Sequence, residues 1–487
     1  MLSTQSLALL TDLYQLTMAY GYWKGRVGDT ESVFHLTFRK NPFSSGFSIA
    51  CGLQDAITYL ENFRFESDDI EYLSTLRGND EKPLFEKGFL DYLGELRLQC
   101  DIDAIPEGTA VFPHEPLMRV QGPMLQCQLV ETALLNIINF QTLIATKAAR
   151  VCFAARGDQV LEFGARRAQG ADGALSASRA AYIGGCGATS NVLAGKHFGI
   201  PVKGTHAHSW VMLYGDELEA FKAYAKAMPN NCVFLVDTYN TLDGVRNAAK
   251  VGTWLRTLGH KLAGIRLDSG DLAYLSIEAR KILDEAGLHQ TPIVASNDLD
   301  ETVISSLKEQ GATITVWGVG TRLVTGDEQP ALGGVYKLSA VRNGKDDAWQ
   351  SRIKISEQAI KTSNPGIQQV RRYIVNDEYA ADAIYDTSTD LQDGCTIVDP
   401  FDATRRKHMD ASTRYQDLLV PIFRGGQCVY KAPSIHQMRD HARQSLDGFY
   451  SGIKRFVNPH IYPVGLEKSL HDQKMDLIAE ARGLKNG

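Results

Sequence analysis

The sequence predicts an α/β protein whose central part is a (β/α) barrel-like domain. Six short apolar runs begin at residues 160, 201, 233, 263, 292 and 314, and helical patterns fill most of the gaps between them. Each run ends in polar or glycine-rich residues. Strands that alternate with helices at this spacing form parallel sheets, so we expect the residues that close each run to meet at one edge.

Two architectures fit this alternation. A barrel places its active site at the carboxyl ends of its strands, and a doubly wound sheet uses the same ends. We predict the barrel-like form over residues 141–345. Residues 1–140 are expected to form an N-terminal α/β domain, completed by part of a C-terminal region at 346–487.

The flanking segments contain their own elements. Residues 9–22 predict a helix, because capping side chains open it and apolar residues share one face. Residues 32–39 alternate as in a strand, and 130–150 predict a long buried helix. In the C-terminal region we expect short strands at 373–375, 396–398 and 418–423 and an amphipathic helix at 434–446.

Length and composition exclude several classes of protein. The chain has 487 residues, 44% of them hydrophobic, and its net charge of −6 excludes a general polyanion-binding protein. Its most apolar stretch, 129–145, is interrupted by polar residues and is too short to span a membrane. Eight scattered cysteines predict no disulfide framework. Since no signal peptide is evident, we expect a cytoplasmic protein that binds neither nucleic acid nor membranes.

The residues that close two of the runs are suited to anions. Arg166 follows Phe163 and Gly164, and an arginine fork binds carboxylate or phosphate, although a surface arginine would look the same. Arg266 and Asp268 alternate onto one face of the fourth run. Such a pair is suited to binding the two neighbouring hydroxyl groups of a sugar.

The same fourth run continues into a turn. Ser269 and Gly270 can turn the backbone toward an anion just before a helix, and capping of that helix is the alternative. Gly320 and Thr321 lie in a glycine-rich loop after the last run, where barrels often bind phosphate.

Two histidines stand close together at the second run. His206 and His208 could bind a metal, act as nucleophile or base, or be histidines with satisfied hydrogen bonds. Asp237, after the third run, could bind a hydroxyl, orient another side chain or cap a helix. For Asp298 we predict helix capping, because Glu301 follows at capping-box spacing. Together these residues suit a small, anionic, phosphorylated sugar.

At these positions the sequence closely resembles the nicotinate phosphoribosyltransferase family. The resemblance extends over residues 9–340 and is thin beyond 345. It is carried by the ordered motifs TDLYQLTM (11–18), FRKNPF (38–43), EPLMRVQGP (115–123), EFGARRAQG (162–170), GTHAHS (204–209), IRLDSGD (265–271) and WGVGTR (317–322).

The resemblance implies a reaction. The family joins nicotinate to 5-phosphoribosyl-1-pyrophosphate, giving nicotinate mononucleotide and pyrophosphate, the entry step of NAD salvage. It couples this transfer to ATP hydrolysis through a phosphorylated histidine, with Mg²⁺ bound to the substrate. His208 matches that histidine, while His206 occupies a variable position.

The resemblance also implies roles for the other motif residues. Tyr14, Phe163 and Arg166 would hold nicotinate, and Arg39 would reach the phosphates. Tyr14 and Arg39 would enter the partner subunit's site in a homodimer with shared active sites. The phosphoribosyl group would be bound by Arg266, Asp268, Ser269 and Gly270, and its 5′-phosphate by Gly320 and Thr321.

Several alternatives remain beside this interpretation. A nicotinamide-specific relative carries an aspartate a couple of dozen residues after the Phe-Gly motif, whereas the comparable stretch here, 185–191, has no carboxylate. A quinolinate enzyme would need cations for two carboxylates. A catalytically silent binding relative would not need His208, Arg166 and Asp268 together. An unrelated barrel aldolase would need a lysine at a strand end, and Lys203 is the one candidate.

Overall fold

The computed structural model describes residues 6–344 and 346–484, which divide into two compact units. Unit 1 comprises the residues up to Leu143 and from Ala331 onward, and unit 2 runs from Ile144 to Pro330. The domain boundaries predicted at residues 140 and 345 stay a prediction.

The described residues form the following elements. The strands are β1 (Glu31–Phe38), β2 (Ser48–Ile49), β3 (Asp101–Ala104), β4 (Ala110–Val111), β5 (Met118–Pro123), β6 (Gln159–Glu162), β7 (Ala188–Thr189), β8 (Val233–Leu235), β9 (Gly264–Leu267), β10 (Ile293–Ala295), β11 (Val316–Val319), β12 (Gly334–Arg342), β13 (Gln350–Ser351), β14 (Gln368–Val375), β15 (Glu378–Asp386), β16 (Cys395–Val398), β17 (Arg406–Met409), β18 (Arg414–Asp417), β19 (Val420–Arg424), β20 (Gln427–Cys428) and β21 (Val464–Glu467). The helices are α1 (Leu13–Lys24), α2 (Leu53–Glu61), α3 (Ser67–Thr75), α4 (Lys87–Glu95), α5 (Met124–Leu129), α6 (Glu131–Ala154), α7 (Gly170–Ile183), α8 (Val192–Phe198), α9 (His208–Tyr214), α10 (Glu217–Ala227), α11 (Thr241–Thr257), α12 (Leu272–Glu285), α13 (Glu301–Glu309), α14 (Thr321–Val324), α15 (Ile435–Asp447) and α16 (Lys468–Ala481).

Unit 2 is built on one parallel sheet with the order β7-β6-β11-β10-β9-β8. Strand β6 pairs with β11, so the first and last strands of the series are neighbours, as in a barrel. In the described residues the sheet is open between β7 and β8. The prediction of a barrel-like α/β fold is therefore confirmed, and the doubly wound order is not observed.

Five of the six apolar runs are strands of this sheet, and the run that begins at residue 201 is the exception. Val202 makes only an isolated bridge to Thr189, and the neighbouring sheet strand is the two-residue β7. Extended pairing does not continue, because the chain leaves the sheet and enters α9 at His208. The second run thus marks the place where the barrel stays open.

Several helices of unit 2 begin with a side-chain cap, and α11, α12 and α13 do so shortly after a strand ends. The capping side chains accept a backbone N–H in the first turn and belong to Asp216 in α10, Asn240 in α11, Asp271 in α12 and Asp300 in α13. The prediction that Asp298 caps the helix was wrong: Asp300 accepts the N–H of Val303 at 2.7 Å. The capping residue thus lies two positions later than predicted, because α13 begins at Glu301 and the residue before it is Asp300.

Unit 1 contains the remaining sheets. One has the order β13-β12-β1-β5-β3-β19-β20, another β17-β16-β21-β15-β14-β18, and β2 pairs with β4. The predicted helix and strand of the N-terminal segment are confirmed as α1 and β1, and the C-terminal helix as α15. The three short strands predicted after residue 345 lie in or overlap β14, β16 and β19. Among the residues that the structure describes, no helix has the length and apolar character that a membrane crossing requires.

Candidate functional site

Polar side chains gather where the strands of unit 2 end. Asp237 follows β8, Asp268 follows β9 and Ser296 follows β10, each within two residues of its strand. Because these strands are parallel neighbours, their carboxyl ends lie side by side. The sequence-based expectation that the run-closing residues share one edge is thus met for this part of the sheet.

Arg266 is the centre of the hydrogen-bond network at this edge. Its Nη2 donates to Asp268 Oδ1 at 2.7 Å, its Nε to Ser296 Oγ at 2.7 Å and its Nη1 to Thr205 Oγ1 at 3.0 Å. Its guanidinium carbon also lies 5.8 Å from the centre of the Phe163 ring. Three polar partners therefore fix the orientation of this arginine, because the N–H groups of its planar guanidinium point in fixed directions.

Asp268 is held as a carboxylate by the same network. Ser296 donates its hydroxyl to Asp268 Oδ1, beside the guanidinium of Arg266. Burial by itself would raise the pKa of Asp268, but the Ser296 hydrogen bond and the charge of Arg266 outweigh it and hold the pKa below its usual value. Asp268 is thus negatively charged throughout the neutral range.

Asp237 supports the turn after β9 from the neighbouring strand. Its Oδ2 accepts the backbone N–H of Asp268 at 3.0 Å and the hydroxyl of Ser269 at 2.6 Å. Its side chain is 1% exposed. Its other oxygen, Oδ1, is buried without a hydrogen-bond partner in the described structure and lies 4.0 Å from Nε2 of His208. A buried carboxylate oxygen without a partner is costly, and its position facing His208 makes it a candidate to bind a ligand.

His208 faces both carboxylates. Its Nδ1 lies 3.1 Å from the hydroxyl of Thr238, and its Nε2 lies 3.9 Å from Asp268 Oδ2. The side chain is 40% exposed, so a substrate can reach it. Since Thr238 engages one ring nitrogen, the other nitrogen is directed at Asp237 and Asp268. This is the arrangement of an orientated imidazole beside an acidic pair.

His206 has a different environment, although it lies only two residues away. It is buried against Phe221, Tyr224 and Phe234, and its Nε2 accepts the backbone N–H of Leu235 at 3.2 Å. Burial lowers its pKa, which keeps the ring neutral and able to accept. Of the interpretations left open for the histidine pair, a satisfied structural histidine fits His206.

Ser269 and Gly270 form a turn that leads into a helix. Gly270 adopts φ of +80°, a left-handed conformation that glycine accepts without strain. Asp271 then caps α12 by accepting the N–H of Tyr274 at 3.1 Å. The turn therefore leads into the amino end of a 14-residue helix, which the carboxylate of Asp271 caps.

Phe163 and Gly320 lie on adjacent strand ends. Phe163 donates its N–H to Val319 at 2.8 Å, and a Cβ on Gly320 would lie 3.3 Å from the Phe163 carbonyl oxygen. Arg166 follows in a short 3₁₀ helix, Ala165–Arg167, with its side chain exposed. Thr321, also exposed, is the first residue of α14. The turn that contains Arg166 and the loop that contains Gly320 and Thr321 thus lie at the same edge of the sheet.

Tyr14 and Arg39 belong to unit 1. Tyr14 lies on α1 with its ring 49% exposed, and its hydroxyl accepts a hydrogen bond from Gln15 Nε2 at 3.2 Å. Burial of the hydroxyl raises the pKa of Tyr14, so the group remains a neutral phenol. Other exposed apolar side chains of the same segment are Leu10, Leu13 and Met18.

Arg39 lines an open pocket in unit 1. The basic residues that share this pocket are His35, Arg39, His114, Lys337 and Lys361. Burial lowers the pKa of His114 to about 4, and the positive charges of Lys474 and Arg39 act in the same direction. The described residues that line the pocket include no acid. The pocket is therefore suited to an anion that comes from outside the unit.

Three residues of the site were not selected from the sequence. For Asp237 the sequence left three roles open, and Thr238 was not considered. Ser296 belongs to a segment that was predicted to cap a helix. Each of them lies within three residues of the carboxyl end of a strand, which is the signal that could have identified them. The sequence does not show which strands are neighbours. The pairing of β9 with β10 is what brings Ser296 next to Arg266 and Asp268.

A metal site formed by protein side chains alone is not evident. In residues 6–344 and 346–484, no three histidine, cysteine, aspartate or glutamate side chains are grouped as ligands. Asp237 and Asp268 are two acids that face one point near His208. Mg²⁺ is typically bound by one or two carboxylates together with water and substrate phosphates.

Comparison with known protein families gives three matches that together span most of the chain. Residues 9–139 match the nicotinate phosphoribosyltransferase N-terminal domain, residues 159–378 match the nicotinate phosphoribosyltransferase family, and residues 367–474 match the C-terminal domain. The C-terminal match extends into the region where the sequence motifs are thin.

Individual relatives agree. The nicotinate phosphoribosyltransferase of Bacillus subtilis is 44% identical over 484 residues, which cover 98% of this chain and 96% of that protein. That of Dictyostelium discoideum is 38% identical, with 98% and 89% covered. The crystal structure of human nicotinic acid phosphoribosyltransferase superposes with a TM-score of 0.82 at 32% identity, covering 96% of this chain and 99% of the human one.

Proposed function

This chain belongs to the nicotinate phosphoribosyltransferase family, and from that premise we propose that it makes nicotinate mononucleotide and couples the reaction to ATP through His208. The substrates are nicotinate, 5-phosphoribosyl-1-pyrophosphate and ATP. The observation that carries the proposal is the cluster of His208, Asp237, Asp268 and Arg266 at the strand ends of unit 2.

In the transfer step, the pyridine nitrogen of nicotinate bonds to the anomeric carbon of the donor. The bond from that carbon to pyrophosphate breaks, and pyrophosphate leaves with both electrons of the bond. Positive charge develops on the ribose, so a fixed carboxylate such as Asp268 stabilises it. Arg266 holds Asp268 in place and keeps it ionised, which fits the role of a preorganised pair.

In the coupling step, a ring nitrogen of His208 attacks the γ-phosphorus of ATP, and the bond to ADP breaks. Water later cleaves the phosphohistidine to inorganic phosphate. Thr238 orients the ring at Nδ1, and the exposed side chain leaves room for a phosphoryl group. The phosphoryl group adds charge and three acceptor oxygens next to Asp237 and Asp268.

Mg²⁺ would be bound together with the phosphates of the substrates, whose charge it would offset. Asp237 Oδ1 and Asp268 Oδ2 would hold the ion, because both oxygens lie about 4 Å from the same imidazole nitrogen. The ion would neutralise the phosphate charge that otherwise repels these two acids. In this proposal the ion would be bound together with the substrate rather than by protein side chains alone.

Nicotinate is favoured over its neutral amide. Ser190, Asn191 and Thr189 form the strand end beside the Arg166 turn, since Ser190 donates its N–H to the Glu162 carbonyl at 2.9 Å. None of the three is acidic. The exposed guanidinium of Arg166 is therefore free of a neighbouring carboxylate from this stretch, which suits an anionic ring substituent.

A homodimer with shared active sites completes the proposal, with Tyr14 and Arg39 reaching the partner subunit's site. Support comes from the exposed apolar side chains of α1, of which Leu13 is 55% exposed, and from the acid-free pocket around Arg39. Mixing Arg39→Ala with Arg266→Ala subunits tests it. Random exchange restores one intact site in half of the dimers, or about a quarter of the wild-type activity; no recovery after exchange contradicts shared sites.

The test of the overall function is a product assay. The protein is incubated with Mg²⁺, 5-phosphoribosyl-1-pyrophosphate and one of nicotinate, nicotinamide or quinolinate, with and without ATP, and the nucleotides are separated. We expect nicotinate mononucleotide from nicotinate only, in an amount raised by ATP and accompanied by ADP. His208→Ala should remove the ATP stimulation, while His206→Asn controls for loss of a nearby histidine.

Other outcomes have distinct meanings. Product from nicotinamide or quinolinate would contradict the assignment of Arg166. Full ATP stimulation in His208→Ala would contradict the phosphohistidine. Binding of the donor without any product would indicate a catalytically silent relative. The cytoplasmic location stays a prediction from the sequence.

A further inference from the structure

Glu162 is a buried carboxylate at the end of β6 that the proposed reaction does not use. Its side chain is fully buried. Its Oε1 accepts the backbone N–H of Gly164, and its Oε2 accepts the hydroxyls of Ser178 at 2.8 Å and Thr189 at 2.5 Å. The donors are one backbone N–H and two hydroxyls. A carboxylate placed in this way organises its surroundings, since an acceptor with several lone pairs can join several donors.

The three donors come from three different elements. Gly164 opens the turn that contains Arg166, Ser178 lies in the third turn of α7, and Thr189 ends β7. The Thr189 hydroxyl also accepts the N–H of Asn191 at 2.9 Å. Glu162 therefore joins the Arg166 turn to the helix that follows it and to the neighbouring strand end.

The opposite side of the same turn is fixed by close packing. A Cβ on Gly318 would lie 2.7 Å from the Phe163 ring, and a Cβ on Gly164 would collide with Val324. Phe163 is also tied to β11 through its N–H bond to Val319 at 2.8 Å. The turn is thus held between β11 on one side and the Glu162 carboxylate on the other.

Arg166 itself has no such support, because its side chain is exposed. Its direction depends on the backbone of the turn, which begins at Gly164. If the Glu162 carboxylate were removed, the Gly164 N–H and two hydroxyls would lose a buried acceptor and would have to find others. The turn would then adopt several conformations instead of one.

We propose that Glu162 is the positioning residue for the nicotinate half of the site. It holds the turn so that the Phe163 ring and the Arg166 guanidinium are arranged for a pyridine carboxylate before that substrate arrives. This inference rests on the proposed function for the identity of the substrate. It predicts a larger effect on nicotinate than on the phosphoribosyl donor, because the proposed donor residues Arg266, Asp268, Ser269 and Gly270 lie in or directly after β9 rather than in this turn.

Glu162→Ala and Glu162→Gln test the role, with Asp158→Ala as the matched control. Asp158 precedes the opposite end of β6, where it accepts from Trp317 Nε1 at 3.0 Å and pairs with Lys308 at 2.7 Å. We expect Glu162→Ala to raise KM for nicotinate about 10- to 100-fold, with KM for the donor changed less than about threefold. Glu162→Gln retains an acceptor for Gly164 and should recover most of the loss.

Hydrogen exchange gives a readout independent of activity. The peptide that contains Gly164 should exchange faster in Glu162→Ala, whereas a peptide from β9 should not change. If Glu162→Ala does not fold, Ser178→Ala and Thr189→Val each remove one hydrogen bond to the Glu162 carboxylate and should raise KM for nicotinate by a smaller factor.

Three results overturn the inference: equal changes in both KM values, unchanged exchange at Gly164, or the same nicotinate effect in Asp158→Ala. If the wild-type protein forms no nicotinate mononucleotide, the proposed function fails instead. The exchange measurement then still decides whether Glu162 holds the turn.

Discussion

The strand ends of unit 2 and the pocket of unit 1 both collect charged side chains, but they do so in opposite ways. In unit 2 the cation Arg266 is bonded to Asp268, and His208 faces two acids. In unit 1 Arg39 shares its pocket with other basic residues, and the described lining contains no acid.

This difference separates two tasks. Paired charges fix one another's direction and protonation state, so the unit 2 cluster is ready before a substrate binds. Cations that share a pocket without an acid repel one another until an anion binds; burial lowers the pKa of His114, and the charges of Lys474 and Arg39 add to this effect. We infer that removal of a charge disrupts geometry in unit 2 and weakens anion binding in unit 1.

The largest effect is expected from Arg266→Met. The substitution leaves Asp268 without its counter-charge and leaves the hydroxyls of Ser296 and Thr205 without a donor. We expect kcat/KM for nicotinate mononucleotide formation to fall about 10²- to 10⁴-fold, because the pair is partly buried and breaking a fully buried pair costs roughly 3–5 kcal/mol. Arg266→Lys should recover little, because an ammonium cannot reach three partners in a fork.

Arg280→Met is the control for this prediction. Arg280 also pairs with an acid, Asp284 at 2.9 Å, and donates to two backbone carbonyls, but it lies on α12. It should lower thermal stability with little change in kcat/KM. Equal losses of activity in the two variants would show that the Arg266 pair has no special part in the reaction.

A smaller effect is expected from Arg39→Ala. Because the pocket lacks acids, the variant relieves repulsion and should fold normally. We expect KM for 5-phosphoribosyl-1-pyrophosphate to rise about 10- to 100-fold and to depend less on salt concentration than in the wild type. Arg405→Ala, which removes an exposed charge of the same unit, serves as the control. A rise confined to KM for nicotinate would contradict the prediction.

Ser296→Ala should change the pH dependence of the reaction. The Ser296 hydroxyl helps to hold the pKa of Asp268 below its usual value, so its removal raises that pKa. A lowered carboxyl pKa means that the ion pair is complete at neutral pH and is lost as the pH falls through the folded-state value. The acid limb of kcat/KM should therefore move to higher pH. Ser276→Ala, at another buried serine, should leave the limb in place.

The smallest effect concerns stability. Lys474 donates to Asn364 Oδ1 at 2.9 Å, and burial lowers its pKa from 10.5 to about 8. Between these two values the unfolded chain binds more protons, so the wild type should gain stability relative to Lys474→Met as pH rises from 8 to 10.5. The gain should reach about 2–3 kcal/mol, measured by denaturant unfolding of both proteins.

Lys468→Met is the control on the same helix. Lys468 is exposed and pairs with Asp472, so its removal should give a difference that does not change over this pH range. A constant difference between wild type and Lys474→Met as well would contradict a buried, partly deprotonated Lys474.

Much of the fold could be predicted from residue patterns alone. The strands β6, β8, β9, β10 and β11 appeared as apolar runs, because a strand buried on both faces reads as continuous hydrophobicity. The run that begins at residue 201 was predicted as a strand but forms none, because a strand needs a neighbour with free hydrogen-bonding groups. Val202 forms only an isolated bridge with Thr189. Capping of α13 was placed two residues early, since several side chains in 296–300 could cap.

The sequence by itself determined which kinds of residue end each strand, and the class of ligand is predicted from them: Arg166, Arg266, Asp268 and His208 were selected by their types and positions. Only the tertiary structure decided their partners. Ser296 bonds Arg266 across a sheet, Asp237 supports the turn at Ser269, and Glu162 holds Gly164. Local chemistry is written along the chain, whereas hydrogen bonds between strand ends depend on the strand order, which distant residues set together through packing.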